Sequence, residues 1–386
     1  MRLPAMILMV GVLMAVTCHA QVALLDKVYD LIQSREFVKA REALVSAEKH
    51  PTTQHDPRTF YLKAFVFKEL FLQSSGEVRE RNTDAILSSI ETCRRLDIDQ
   101  SFKKPLGELL DFAKAGIFNE ASSRYNNEQY AEAIRLYKRY CKIALPEDQY
   151  WLEAKYFVGV AYNELKAVDS AILYLDYAQR RNYAQPVLYV DLTYLYLNNA
   201  RFDDALATIS KGLTLYPDYY DLQIARINTL TKTEQFDTLE IVIESFLRQH
   251  PDELDVLLMA GTVYEKKRNE VNVLKYYGKA EKVYQKVLSI DPNNIDANYN
   301  LGVLYYNEAV EIVNKNDIDT DIDELTKVLE RSTQLFEKAL PLLQHIFNSQ
   351  SKNLKLLHAL QAIYYNLNMR QELAEVNDMI KALGKT

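Results

Sequence analysis

The stretch YVDLTYLYLNNARFDDALATISKGLTLYP, residues 189–217, decides the fold of this chain. Its Tyr189, Thr193 and Tyr196 stand at helical spacing, and Pro217 closes it. Several of its positions recur every 34 residues in the sequence on either side. One ladder of such positions comprises Tyr162, Tyr196, Leu230 and Tyr264, and a second ladder comprises Gly159, Thr193, Ile227 and Gly261. A fixed period of this size indicates a stack of identical supersecondary units.

The signature in this stretch resembles the tetratricopeptide repeat, a helix–turn–helix unit of about 34 residues. Three further units keep parts of that signature: Gly159, Tyr162, Ala171, Leu175 and Ala178 in one, Leu257, Ala260, Gly261 and Tyr264 in another, and Leu301, Gly302 and Tyr305 in a third. The resemblance is strong over 150–305. It implies an all-α fold, a right-handed superhelical solenoid of antiparallel helix pairs.

The composition suits long helices joined by short turns. The chain has 10 glycines and 10 prolines among 386 residues, which leaves too few turn residues for a many-stranded fold. Gly261 is expected where two helices cross closely, whereas Gly76 is expected in an inserted loop that reaches Asn82. The predicted organisation is a signal peptide at 1–20, degenerate hairpins at 21–149, regular repeats at 150–305, and extended hairpins with a cap at 306–386.

The amino-terminal segment has the pattern of a secretory signal. Arg2 precedes an apolar run over 6–16, and small residues lead up to Gln21. This apolar run is too short to span a bilayer, so we expect cleavage after Ala20 and export to the bacterial periplasm or cell envelope. The alternative is a lipoprotein signal in which Cys18 is acylated.

Two cysteines remain beyond the signal segment, and they are expected to be free thiols. Cys93 and Cys141 each lie eight residues after the alanine that marks the second helix of a unit, Ala85 and Ala133. Equivalent places on successive hairpins are about 8–10 Å apart. That separation exceeds the roughly 7 Å within which two cysteines can be bridged.

Motifs for catalysis are missing from the sequence. It contains no phosphate-binding glycine loop, no nucleophile elbow and no zinc-protease motif. The alternating acids Asp317, Asp319, Asp321 and Asp323 are similar to a calcium loop, but Ile322 and Val328 replace its glycine and its closing glutamate. The sequence therefore predicts a chain that is not an enzyme, with no catalytic residue, no metal site and no cofactor.

The charge pattern disfavours nucleic acid as a partner. The formal net charge is −7, and the basic clusters, such as Lys103-Lys104 and Arg180-Arg181, are short and separated. Binding to a phosphate backbone needs a continuous basic face.

The resemblance implies a protein-interaction scaffold that binds a peptide or protein in the concave groove of the solenoid. First helices would line that groove, and rigid aromatic rings and amides suit contact with a partner. By repeat register, the predicted groove residues are Tyr156, Asn163, Tyr194, Asn228, Tyr299 and Tyr306. The identity of the partner is not encoded in any motif.

The alternative function is a helical toroid that acts as an enzyme or binds a glycan. Four acids at groove-facing register would line its cavity: Asp221, Asp255, Asp296 and Glu265. Carboxylate catalysis would require a fixed separation between two of these acids and shifted pKa values.

Overall fold

A computed structural model describes residues 19–269, 272–315, 322–349 and 354–383. Within these ranges the chain forms 18 α-helices and no strand. The predicted all-α, tetratricopeptide-like architecture is therefore confirmed. Two predictions concern residues outside the described ranges. Residues 1–18 of the predicted signal peptide, including Cys18, are one case, and the acidic loop from Asp317 to Asp321 is the other.

The helices alternate with short connections along the whole described chain. Their bounds are α1 His19–Gln33, α2 Phe37–Ala47, α3 Pro57–Leu72, α4 Gly76–Leu96, α5 Lys103–Asn126, α6 Tyr130–Ile143, α7 Trp151–Glu164, α8 Val168–Arg180, α9 Pro186–Asn198, α10 Phe202–Leu215, α11 Tyr220–Lys232, α12 Phe236–Gln249, α13 Leu254–Lys267, α14 Val273–Ile290, α15 Ile295–Asn314, α16 Ile322–Ser349, α17 Leu354–Asn366 and α18 Arg370–Leu383. No helix among the described residues is long and apolar enough to cross a membrane.

The chain divides into two compact units, and the division falls within α9, between Leu195 and Tyr196. In the first unit, α1 pairs with α2, α3 with α4, α5 with α6, and α7 with α8. In the second unit the pairs are α11 with α12, α13 with α14, α15 with α16, and α17 with α18. Each unit is thus a run of helix hairpins.

Two positions of the ladder, Tyr162 and Leu230, accept backbone hydrogen bonds that close hairpin turns. The amide of Ala167 donates to the carbonyl of Tyr162 at 2.9 Å, and the amide of Gln235 donates to the carbonyl of Leu230 at 3.0 Å. The residue before each donor has a positive φ, 60° at Lys166 and 53° at Glu234. A helix end with a left-handed residue and a backward hydrogen bond of this kind is a Schellman motif, which satisfies free carbonyls and turns the chain.

Aromatic side chains join consecutive hairpins in the first unit. The fully buried Tyr137 of α6 stacks on Phe157 of α7, with ring centroids 5.4 Å apart and planes 8° apart. Burial of one large apolar side chain stabilises the fold by about 1.5–3 kcal/mol. Nearest-neighbour contacts of this type hold a repeat stack together.

Close helix crossing at Gly261 is confirmed in the second unit. A Cβ at position 261 would lie 2.3 Å from Cε1 of the fully buried Tyr284 on α14. The sequence also places extra residues between Pro251 and Pro292, and α14 has 18 residues where α12 has 14. The extra residues thus lengthen the second helix without breaking the hairpin.

The predicted inserted loop at 74–82 is wrong. Gly76 begins the 21-residue helix α4 and has a φ of +54°. Two side chains fix this start: Arg79 donates to the carbonyl of Ser74 at 2.9 Å and its guanidinium lies 5.0 Å from the ring centroid of Phe71. Asn82 also donates to the Ser74 hydroxyl. The additional residues therefore extend the helix.

Both cysteines of the described chain are free. The Cys93 thiol donates to the carbonyl of Pro57 at 3.1 Å, and burial raises its pKa to about 12. Burial also raises the pKa of Cys141 to about 11. Neither thiol has the low pKa of a reactive cysteine.

Candidate functional site

In the first unit, the first helices of successive hairpins contact each other through aromatic and acidic side chains. Tyr125 of α5 packs against Phe157 of α7, with ring centroids 5.5 Å apart. Tyr156 of α7 donates its hydroxyl hydrogen to Oδ2 of Asp191 on α9 at 2.5 Å. We call the surface carried by Tyr125, Glu153, Tyr156, Asn163, Glu164, Tyr183 and Asp191 the first-helix face.

Helical spacing puts the residues of α7 on this face. Glu153, Tyr156, Asn163 and Glu164 follow one another at steps that keep them on one side of the helix. The opposite side carries the fully buried Ala154, Val158 and Ala161, which form part of the core. The spacing of residues along α7 therefore gives this helix one side that packs in the core and another side that forms part of the first-helix face.

Tyr156 is the anchor of the face. Only 7% of its surface is exposed, and its ring stacks on Tyr183 with centroids 5.2 Å apart. Burial, and then the neighbouring charge of Asp191, raise the pKa of Tyr156 well above its usual range. The phenol is therefore neutral at physiological pH and remains a hydrogen-bond donor to the carboxylate.

Two acids of the face, Glu153 and Asp191, lie partly out of water, whereas Glu164 is exposed. Burial raises the pKa of Glu153. Burial also raises the pKa of Asp191, the Tyr156 hydroxyl opposes that effect, and the charge of Glu164 adds to it. Asp191 thus remains the acceptor of the Tyr156 hydroxyl.

Two tyrosines flank the carboxylates. Burial and the charge of Glu164 raise the pKa of Tyr125 to about 12. Burial and the charge of Glu153 raise the pKa of Tyr183 to about 12. Aromatic ring faces and carboxylates both attract cations, so this arrangement can bind a positively charged group.

The acids of the face have few partners. Among the described residues, Glu153, Glu164 and Asp191 make no ion pair, and Glu153 and Glu164 make no hydrogen bond through their side chains. Asp191 accepts only the bond from Tyr156. The face therefore presents unneutralised negative charge.

A carboxylate in the second unit shows the opposite arrangement. Glu240 accepts hydrogen bonds from Lys267 at 2.5 Å, from Lys279 at 2.6 Å and from the Tyr276 hydroxyl at 3.0 Å. Burial opposes ionisation of Glu240, but these donors hold its pKa at about 2. This cluster joins α12 to α13 and α14, and its charges are already matched.

The six residues predicted for the groove are divided between the two units. Tyr156 is buried, and Asn163 and Tyr194 are half-buried, all in the first unit. Asn228, Tyr299 and Tyr306 are half-buried in the second unit, and the Tyr306 ring lies 6.1 Å from that of Phe336. Their role in partner binding stays a prediction.

Sequence reasoning missed five members of the first-helix face: Tyr125, Glu153, Glu164, Tyr183 and Asp191. Glu153 could have been found, since it lies three residues before Tyr156 on the same helix. Tyr183 lies in the connection after α8, and its stacking on Tyr156 has no signal in the repeat register.

The acids of the toroid hypothesis are distributed along the second unit. Asp221, Asp255 and Asp296 are exposed in the first turns of α11, α13 and α15. Glu265 is half-buried and accepts the Tyr284 hydroxyl at 2.6 Å, and burial raises its pKa. Across the described ranges, no three acidic, histidine or cysteine side chains converge as metal ligands would.

A family model described as "TPR repeat" matches residues 276–315, which run from α14 to the end of α15. That segment has a close helix crossing like the one at Gly261, since a Cβ added at Gly302 would lie 2.6 Å from Cδ2 of Leu343 on α16. Residues 276–315 are a tetratricopeptide repeat. Proteins built from such stacked repeats use extended surfaces for binding.

Several solved tetratricopeptide structures are similar to this repeat protein. The C-terminal part of a TPR repeat-containing protein from Cytophaga hutchinsonii is 19% identical, with 72% of this chain and 98% of that chain covered and a TM-score of 0.41. YrrB, described as a TPR protein with an unusual peptide-binding site, is 18% identical, with 51% and 95% covered and a TM-score of 0.41. A tetratricopeptide repeat protein from Parabacteroides merdae is 16% identical, with 60% and 93% covered and a TM-score of 0.37.

One curated protein, the protein O-mannosyl-transferase Tmtc3 of Drosophila melanogaster, is 25% identical over 118 residues. The match includes 31% of this repeat protein and 12% of Tmtc3. The matched part of the chain therefore spans only about one eighth of the length of that relative.

Proposed function

We propose that this chain is a non-enzymatic protein-interaction scaffold whose first-helix face in the first unit binds a protein or peptide partner. The observation that carries the proposal is the face itself, in which rings from α5 and α7 and a carboxylate from α9 form a continuous set of contacts through Phe157. Aromatic residues are enriched at the buried centres of protein interfaces. Repeat proteins bind partners on extended surfaces of this kind.

We further propose that the scaffold acts in the bacterial cell envelope. The support is the amino-terminal segment, in which Arg2, the apolar run over 6–16 and Ala20 have the order of an export signal. Partners would then be envelope proteins or exported peptides.

The proposal is tested by blocking the first-helix face and comparing it with a matched position elsewhere. Asn163 is half-buried on α7, and Leu173 is 67% exposed on the second helix α8. An Asn163→Trp substitution places a large ring on the face, whereas Leu173→Trp adds the same ring to the outside of the hairpin. Each variant is used to capture partners from envelope extracts, followed by mass spectrometry.

We expect Asn163→Trp to lower recovery of the main partner at least about tenfold, the effect of losing about 1.4 kcal/mol of binding free energy. Leu173→Trp should recover the partner as the unmodified protein does. Equal recovery with both folded variants would contradict binding at this face.

A further inference from the structure

Two lysines of the first unit are held by aromatic rings. The ammonium group of Lys138 on α6 lies 4.9 Å from the ring centroid of Tyr162 and 5.4 Å from that of Tyr174. The ammonium group of Lys155 on α7 lies 5.4 Å from the centroid of Tyr174 and 4.9 Å from that of Trp151. Ring faces attract cations, but they supply no formal negative charge. We call Lys138, Lys155, Tyr162 and Tyr174 the lysine–tyrosine site.

These two lysines differ from the other half-buried lysines of the described chain. Ion pairs with carboxylates are made by Lys63, Lys68, Lys114, Lys267 and Lys279. Lys138 and Lys155 are also half-buried, yet neither makes an ion pair with another described residue. Lys138 donates to the Tyr162 hydroxyl at 2.6 Å. Because an ammonium group has three donor hydrogens, both lysines keep hydrogens for an acceptor from outside.

The second unit has an equivalent site in which the counter-ions are present. Three 34-residue repeats after Lys138, Tyr162 and Tyr174 come Glu240, Tyr264 and Tyr276. There the ammonium group of Lys279 lies 5.0 Å from the ring centroid of Tyr264 and 5.6 Å from that of Tyr276. It also donates to Glu240 at 2.6 Å and to Glu244 at 2.7 Å. Equivalent tyrosines thus flank an ammonium group in both units, and in the second unit two carboxylates of the chain neutralise it.

The first unit has lysines at the positions of those carboxylates. Three repeats before Glu240 and Glu244 stand Lys138 and Lys142. Lys142 is exposed and lies one helical turn after Lys138, so it adds positive charge beside the lysine–tyrosine site. Leaving water costs a charged group free energy, which an opposite charge offsets. The group that matches this site is therefore a carboxylate from outside the chain, in the place that acids of the chain take in the second unit.

We propose that the lysine–tyrosine site binds acidic side chains of a partner segment, with one carboxylate at Lys138 and another at Lys155. Both ammonium groups lie 5.4 Å from the centroid of the Tyr174 ring, so one segment with several acids can reach both. Hydrogen bonds between an ammonium group and a carboxylate are charge-assisted and stronger than neutral ones. The occupant is thus a peptide or protein segment rich in aspartate or glutamate.

This inference goes beyond the proposed function, because it assigns a second binding surface. Lys155 and Tyr162 are two helical turns apart and share one side of α7. The first-helix face lies on another side of the same helix, where Tyr156 and Asn163 are also two turns apart. The two surfaces can therefore be occupied and tested independently.

The test compares two short labelled peptides with amidated carboxyl ends. One peptide alternates glutamate with serine, and the other has glutamine in place of every glutamate, which keeps the size and removes the charge. Amidation leaves the side chains as the only carboxylates of the peptide. Binding to the purified full chain is measured by fluorescence anisotropy at low ionic strength, because salt screens partly exposed charge pairs.

We expect the unmodified protein to bind the glutamate peptide at least about fivefold more tightly than the glutamine peptide, which corresponds to about 1 kcal/mol of binding free energy. The double substitution Lys138→Gln/Lys155→Gln should reduce that preference to less than about twofold. The matched control is Lys211→Gln/Lys232→Gln, which removes the same charge from two exposed lysines of the second unit. The control should keep the preference of the unmodified protein.

A further variant fills the site from within the chain. Lys142→Glu places a carboxylate at the position equivalent to Glu244, one helical turn from Lys138, where it can pair with that lysine. It should also reduce the preference for the glutamate peptide to less than about twofold. Lys142→Gln removes the same lysine without supplying an acid and should keep more of the preference. Because Lys142 is exposed, both variants should fold.

Equal affinity of the unmodified protein for the two peptides would overturn the inference. An undiminished preference in a folded Lys138→Gln/Lys155→Gln variant, or in Lys142→Glu, would overturn it as well. Circular dichroism establishes that each variant is folded. Partner capture that is sensitive to Asn163→Trp can persist if this test fails, and binding of the glutamate peptide can persist if the capture test fails, so the two failures are distinguishable.

Discussion

Gly261 gives the sharpest prediction about how the repeats pack. The added Cβ of a Gly261→Ala variant would lie 2.3 Å from Cε1 and 2.4 Å from Cζ of Tyr284. Carbon atoms in contact are normally about 3.5–4.0 Å apart. Tyr284 is fully buried and donates its hydroxyl hydrogen to Glu265 at 2.6 Å, so the ring cannot move aside without losing that bond.

The size of the effect follows from three contributions. Overpacking a core destabilises by about 1–3 kcal/mol. Loss of a hydrogen bond to a charged group destabilises by about 1.5–3 kcal/mol. Alanine stabilises a helix interior relative to glycine by about 1 kcal/mol, which offsets part of the loss. We therefore expect Gly261→Ala to lower the free energy of unfolding by about 2–5 kcal/mol.

Gly278 is the matched control, because it lies inside α14 and an added Cβ would meet no atom within 4 Å. Gly278→Ala should raise the free energy of unfolding by about 0.5–1 kcal/mol. Both variants are measured by urea denaturation followed by circular dichroism. Effects of the same sign in the two variants would refute the assignment of Gly261 to a close helix crossing.

Three more predictions concern the turns, a charge cluster and export. Glu234 has a φ of 53°, a left-handed conformation that glycine adopts without strain, so Glu234→Gly should stabilise the protein by about 0.5–1 kcal/mol. Lys232→Gly, in the last turn of α11, should destabilise it. The melting temperatures of the two variants should therefore shift in opposite directions. The pKa of Glu240 is about 2 in the folded protein against an ordinary 4.5, so its ionised form stabilises the fold above pH 4.5 and that contribution is lost as the pH falls towards 2. The melting temperature of Glu240→Gln should therefore lie below that of the unmodified protein at pH 7, and the difference between the two should shrink below pH 4.5. A difference in melting temperature that does not change with pH would contradict the role given to this carboxylate. Amino-terminal sequencing of the exported protein should find Gln21 first, and a lipid on Cys18 would show that the alternative lipoprotein signal is the correct one.

Much of the fold could be predicted from sequence because the repeat imposes a register. Gly159 and Gly261 lie at close helix crossings, and the ladder positions Tyr162, Tyr196 and Leu230 accept the hydrogen bonds that close hairpin turns. The segment at 74–82 has no such register, which is why the prediction of a loop there is wrong. Its helical start depends on Arg79 and Asn82, which bind the preceding turn through their side chains.

The candidate site was less accessible to sequence reasoning. Register identifies Tyr156 as a residue of the first helix, but it does not show that the tyrosine hydroxyl is held by Asp191 of the following hairpin. Tyr183 belongs to a connection between helices, and its position depends on how that connection packs. The lack of an ion pair at Glu153 and Glu164 among the described residues is a property of the folded surface, since Lys155 and Lys166 are close to them in sequence.

The most direct test of the central claim is photo-crosslinking from single positions of the first unit. A photoreactive phenylalanine analogue is placed at Asn163 on the first-helix face or at Leu173 on the outside of α8. The crosslinked partner is then identified by mass spectrometry of the cell envelope. The account predicts one reproducible protein adduct from position 163 and none of that protein from position 173. The same adduct from position 173, with none from position 163, would contradict it.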